Sequence, residues 1–110
     1  RQVFEWYRKN LKNKHVSLII PSKEDSPNYW FPAVITKDKK TKEIIAKKLF
    51  NDKIETRDFF LPIHLQPVYK RDFQGEKYPI SEYFFERGLL LPSCFDLSLS
   101  QVTQICKFFN

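Results

Sequence analysis

Val3, Tyr7 and Leu11 recur four residues apart, which places them on one face of a helix ending near Asn13. Val16 to Ile20 is a short apolar run stopped by Pro21 and predicts a strand. Ser22 to Asn28 collects Ser, Asp, Asn and Pro, the composition of a loop. Tyr29 to Thr36 is aromatic and β-branched, hence a second strand, and Pro32 inside it points to an edge position or a bulge. A helix opens at Lys39 or Thr41 and runs to about Phe50. Ile54 to Phe60 predicts a third strand, with Glu55 and Arg57 on one face and Thr56 and Asp58 on the other. Leu61 to Gln74 reads as irregular, held by Pro62 and Pro67. Pro79 to Arg87 is helical, with Pro79 near the entry and Gly88 placed as a left-handed C-cap. Leu89 to Pro92 is a buried extended run. In the last helix Ser98 caps and Gln101 reaches back, a capping box. Leu99, Val102, Cys106 and Phe109 form its apolar face. Short antiparallel strands alternating with surface helices predict a small two-layer α+β domain spanning residues 1–110.

Composition narrows the class. At 110 residues the chain suits one core. An apolar fraction of 42% with 16% aromatic excludes disorder, since each aromatic ring system can remove roughly 150–250 Å² from water. No apolar run approaches the roughly 18–20 residues of a membrane span, and no signal peptide is visible, so a soluble cytoplasmic protein is expected. The chain opens inside a helical pattern at Arg1 and contains no Met, which reads as a piece of a longer polypeptide. Cys94 and Cys106 are expected to be small buried thiols in a reducing compartment. No Cys or His spacing suits a metal. The net charge of +6 is densest from Lys37 to Lys48. There the lysines alternate with Ile44, Ile45 and Leu49, as on the wet side of an amphipathic helix, and no nucleic-acid motif accompanies them.

Chemistry is sparse. Only two glycines occur, Gly75 and Gly88, so there is no phosphate-cradling loop. No serine sits in a nucleophile-elbow context. Glu55 and Asp58 fall on opposite strand faces and make no carboxylate pair. His64 with one nearby acid is weak evidence for acid–base work, and a structural histidine is the plainer account. The residues taken alone leave a basic α+β domain with a candidate anion site at Arg57 and His64.

An ordered set of short motifs adds to this. Tyr7 and Leu11 are followed by Tyr29-Trp30-Phe31, Ile54-Glu55-Thr56-Arg57, Pro62-Ile63-His64, Pro67 and Tyr69. Ser81-Glu82, Gly88-Leu89, Leu91-Pro92-Ser93 and the capped segment Ser98 to Phe109 complete it. In order and spacing, over nearly the whole chain, this resembles the C-terminal small domain of the DegT/StrS family of sugar aminotransferases. The wording from Glu55 to His64 resembles most the branch that includes perosamine synthases, which aminate a nucleotide-linked 4-keto-6-deoxy sugar.

The resemblance implies a homodimeric enzyme that uses pyridoxal phosphate, bound as a Schiff base to a lysine in an N-terminal domain outside these residues. It implies glutamate as amino donor and a nucleotide sugar as acceptor. No catalytic or cofactor-binding residue is then expected within residues 1–110, and the piece alone is expected to be inactive. Residues 1–13 would be the end of a helix bridging to the missing domain. Arg57, His64, Phe60 and Trp30 become the candidate substrate contacts: a guanidinium for phosphate or carboxylate, an imidazole for a sugar hydroxyl or phosphate, and rings for the cleft wall or a base. For Arg57 the competing account is an exposed ion pair with Glu55 or Asp58; for Trp30 it is core packing. One departure stands out. Family members carry Gly before the strand isoleucine, where this chain has Lys53, and Asn51 is expected to take the left-handed conformation instead. Other classes left open are a non-catalytic binding module derived from this domain and, distantly, a nucleic-acid binder using the Lys37–Lys48 cluster.

Overall fold

A computed structural model describes all 110 residues. The elements in chain order are α1 (Gln2–Asn10), β1 (Val16–Leu18), β2 (Ala33–Thr36), α2 (Lys39–Asn51), β3 (Arg57–Asp58), α3 (Pro79–Arg87), β4 (Gly88–Leu90) and α4 (Leu99–Lys107). A 3-10 turn covers Ile63–Leu65. The strands form one antiparallel sheet in the order β1-β2-β4-β3. The fold is therefore α+β, as the alternation of short strands and helices predicts.

The core follows from the pleat. Val34 of β2 pairs with Leu18 of β1 and Leu89 of β4, so these side chains share a face. Ile45 and Leu49 of α2, Tyr7 of α1, and Val102, Ile105 and Cys106 of α4 pack with Val34 and Leu89 into one cluster. Burying a Leu or Val of this kind is worth about 1.5–3 kcal/mol. Polar ties close the ends. The Tyr7 hydroxyl donates to the Pro92 carbonyl at 3.0 Å, and burial pushes its phenol well above the ordinary range. The Asn110 side chain accepts from the Lys12 amide at 2.9 Å and donates to the Asn10 carbonyl at 3.1 Å, joining the end of α1 to that of α4. The capping box at Ser98 and Gln101 is formed, and Asp38 caps α2 by accepting from the Thr41 amide at 2.7 Å.

Several expectations are corrected. Helix α1 ends at Asn10, and Asn13 lies beyond it, donating its side-chain amide to the Phe109 carbonyl. The first strand is shorter than Val16–Ile20, although the Ile19 amide still donates to the Ala33 carbonyl at 2.8 Å. The second begins at Ala33 rather than Tyr29, because Tyr29 has φ +54 and interrupts the extended run. Pro32 precedes it, and β2 is an inner strand, not an edge. The third is only Arg57–Asp58.

Gly88 is not left-handed: φ is −83 and ψ is 142, the start of β4. Glycine is needed there for space. A Cβ would stand 2.1 Å from the Phe59 ring and 2.4 Å from the Phe84 carbonyl oxygen. Lys53 itself takes the left-handed turn at φ +63, while Asn51 stays helical. A non-glycine residue in that region costs about 1 kcal/mol. Leu99 is half exposed in the first turn of α4, and Ile105 replaces it on the buried face, three residues from Val102. Cys106 is buried and its thiol is pushed up to about 11 by desolvation, but Cys94 is exposed; both are free. Finally, Lys42 does not belong to a solvated lysine face. It is buried on the same side of α2 as Ile45 and Leu49.

Candidate functional site

The two residues of β3 face opposite ways, and their neighbours on β4 show where each goes. Arg57 pairs with Leu90 and Asp58 with Leu89. Leu89 belongs to the core, so Asp58 lies on the core side, where its carboxylate accepts from Lys42 Nζ at 3.0 Å. Leu90 lies on the other side. With Arg57, Trp30, Phe31, Glu55 and Ser93 it walls a cavity of about 730 Å³.

Arg57 is loosely held. Its Nε is 3.5 Å from Glu55 Oε1, and its side chain is 68% exposed. Exposed ion pairs of this sort contribute about 0–1 kcal/mol, so an anionic ligand can displace Glu55 at little cost. Trp30 is 64% exposed rather than packed in the core. Its ring lies 4.7 Å from that of Phe31, and the Ser93 hydroxyl donates to its carbonyl at 2.6 Å, fixing the backbone that presents it.

His64 and Phe60 line a different groove, of about 570 Å³, together with Ile63, Tyr78, Ile80 and Phe84. Phe60 is 72% exposed. His64 is buried, with Nε2 2.9 Å from Glu82 Oε1 and the Tyr78 ring 4.8 Å from its own. The same carboxylate oxygen accepts from the Tyr78 amide at 3.3 Å. Glu82 is held below the usual carboxylate range, chiefly by the His64 hydrogen bond and then by that amide. The four candidate residues thus fall into two pairs: Arg57 with Trp30, and His64 with Phe60.

Sequence reasoning missed two residues of this neighbourhood. Glu82 was legible as part of a helix but not as the partner of a histidine eighteen positions earlier. Lys42 was hidden in a run of lysines. Its spacing of three and seven residues from Ile45 and Leu49 was the available signal. The pyridoxal phosphate that the resemblance implies finds no fit among residues 1–110. Lys42, the one buried lysine, is held by Asp58 and by the Phe85 carbonyl at 3.1 Å. Gly88 serves close packing against Phe59 and Phe84, and Gly75, at φ +81, has nothing within 4 Å of where a Cβ would stand. No helix is long and apolar enough to cross a membrane.

Comparison with known proteins gives a consistent picture. The model of the DegT/DnrJ/EryC1/StrS aminotransferase family matches residues 1–110. The chain is 36% identical over 110 residues to a GDP-perosamine synthase from Escherichia coli O157:H7. It is 30% identical over 116 residues to a GDP-perosamine synthase from Vibrio cholerae. Both alignments cover all of this chain but only 29% and 32% of those relatives. Among solved structures, the aminotransferase TlmJ from Streptoalloteichus hindustanus matches with a TM-score of 0.86 at 23% identity, covering 99% of this chain and 29% of that one. Helicobacter pylori PseC, an aminotransferase involved in the biosynthesis of pseudoaminic acid, matches with a TM-score of 0.84 at 20% identity, covering 98% and 30%. At such identities the structures speak to the fold.

Proposed function

Because this chain belongs to the DegT/DnrJ/EryC1/StrS aminotransferase family along residues 1–110, we propose that it is the C-terminal small domain of a sugar aminotransferase. In this proposal the full-length enzyme moves an amino group from glutamate to a 4-keto-6-deoxy sugar carried on a nucleoside diphosphate. The enzyme is a cytoplasmic homodimer. Pyridoxal phosphate, which serves as electron sink in such transfers, is held by an N-terminal domain that also supplies the Schiff-base lysine. Residues 1–110 alone are inactive, and α1, which stops at Asn10, is the end of a helix that enters from the N-terminal domain. The observation that carries the proposal is the match of the whole chain, at 36% identity, to a GDP-perosamine synthase of which it covers 29%.

The part played by these residues is to bind and orient. Arg57 and Trp30 both wall the larger cavity. A guanidinium forms paired, charge-assisted hydrogen bonds to a phosphate, and an exposed indole stacks on a base. His64 and Phe60 face the second, more apolar groove. A 6-deoxy sugar offers a methyl group to such a surface and hydroxyls to an imidazole. Large exposed apolar side chains outside these grooves, among them Phe50, Val68 and Phe95, fit surfaces that the rest of the enzyme covers.

Steady-state kinetics of the full-length enzyme test the assignment. Arg57→Ala is expected to raise KM for the nucleotide sugar about tenfold or more, with a smaller change in kcat. His64→Ala is expected to act in the same direction. Unchanged KM and kcat in both variants would remove both residues from the site.

A further inference from the structure

Nothing in the side chains of β3 itself sets which way it faces. Both residues are polar and exposed, whereas register is usually enforced by one buried face. A slip of one residue against β4 would turn Arg57 toward the core and Asp58 toward the cavity. Outside the strand, the Phe59 ring over Gly88 resists this slip sterically, and a directional polar contact that resists it comes from α2. Lys42 Nζ donates to Asp58 Oδ1 at 3.0 Å and to the Phe85 carbonyl at 3.1 Å, and lies 5.5 Å from the Phe85 ring centroid. The Lys42 side chain is 8% exposed and Asp58 63%. A lysine is desolvated to reach a carboxylate that water could have satisfied.

As a contribution to stability this arrangement is poor. Replacing a buried ion pair with apolar residues is often neutral or better. What a buried charge does supply is direction, because only one placement of Asp58 satisfies it. Three elements meet at the ammonium: α2 through Lys42, β3 through Asp58, and the C-terminal end of α3 through the Phe85 carbonyl. The end of α3 continues directly into β4, the strand on which β3 is paired. Lys42 therefore refers β3 to the same framework that carries Leu90.

We propose that Lys42 is a positioning residue for Arg57: by holding Asp58 on the core side of β3, it aims the neighbouring guanidinium into the cavity walled by Trp30 and Leu90. The proposal deepens, and rests on, the substrate-contact reading of Arg57. Lys42 touches no ligand in it.

The test uses the full-length enzyme, with GDP as the probe and calorimetry as the readout. Lys42→Met is expected to weaken GDP binding about tenfold, the loss of one well-aimed charge-assisted contact. In an Arg57→Ala background the same substitution is expected to change the affinity less than about twofold, since coupled residues are not additive. Asp58→Asn should follow the same pattern. Equal losses in both backgrounds, or no loss in the first, would overturn the proposal, because general destabilisation acts whether or not Arg57 is present. If Arg57→Ala alone leaves GDP affinity unchanged, the substrate-contact reading fails instead. A crystal structure of the Lys42→Met protein then decides the positioning claim. Arg57 displaced from the Leu90 side supports it, and an unmoved Arg57 sinks it.

Discussion

Two regions of this chain are built on different principles. Helices α1 and α4, with strands β2 and β4, enclose a core whose members are almost all apolar. The segment from Ile54 to Tyr78 has one two-residue strand and a single 3-10 turn, and it exposes Phe60, Ile63 and Val68. Apolar packing holds it only at its start, through Ile54 against the core and Phe59 against Phe84; beyond that its ties are polar: Asp58 on Lys42, and His64 and the Tyr78 amide on Glu82. The first region is held by area removed from water, which is large and indifferent to direction. The second is held, beyond its start, by a few directional contacts, which contribute little free energy but determine orientation. Candidate ligand-binding residues belong mostly to the second.

The sharpest way to break this contrast is to make the same truncation in each region. Leu89→Ala, in the core, is expected to cost about 2–5 kcal/mol. Phe60→Ala, at an exposed ring, is expected to cost less than about 0.5 kcal/mol while weakening the nucleotide sugar. Thermal or denaturant unfolding of both variants decides. Similar losses would show that the Ile54–Tyr78 segment is packed after all.

The next effect falls at the seam between the regions. Gly88→Ala would drive a Cβ into the Phe59 ring and the Phe84 carbonyl oxygen. Overpacking of this kind costs about 1–3 kcal/mol. The backbone there is extended and acceptable to any residue, so the penalty is steric. Phe59→Ala should therefore relieve part of it, and a double-mutant cycle on unfolding free energy measures the relief.

The smallest effect is one of pH. Glu82 has its carboxyl pKa lowered in the folded protein, first by His64. The unfolded chain then binds the proton more readily, so this contribution is fully present above the ordinary carboxylate pKa. It is lost as pH falls through the lower folded value. Acid should loosen residues 61–65 before the α1–α4 core. Hydrogen exchange from neutral to acidic pH reads this, and Glu82→Gln should flatten the difference.

Much of the fold was legible in residue order. The helix Pro79–Arg87 was bounded correctly because Pro79 suits its first turn. The capping box at Ser98 and the buried run at Leu89–Leu91 were also readable, since capping and apolar periodicity depend on neighbours a few positions apart. The candidate site was legible only as a cluster in sequence, Arg57 to His64. Nothing in that order reveals that Arg57 and His64 wall different cavities.

Local sequence therefore determined where helices cap and which faces are apolar, because those preferences are decided within a turn or a pleat. Tertiary structure alone decided that Gly88 is needed for close approach, that Lys42 lies inside, and that Glu82 receives His64. The reason is distance along the chain. Steric room and the partner of a buried charge are set by segments that meet only once the sheet has formed, and hydrophobic pattern carries no record of them.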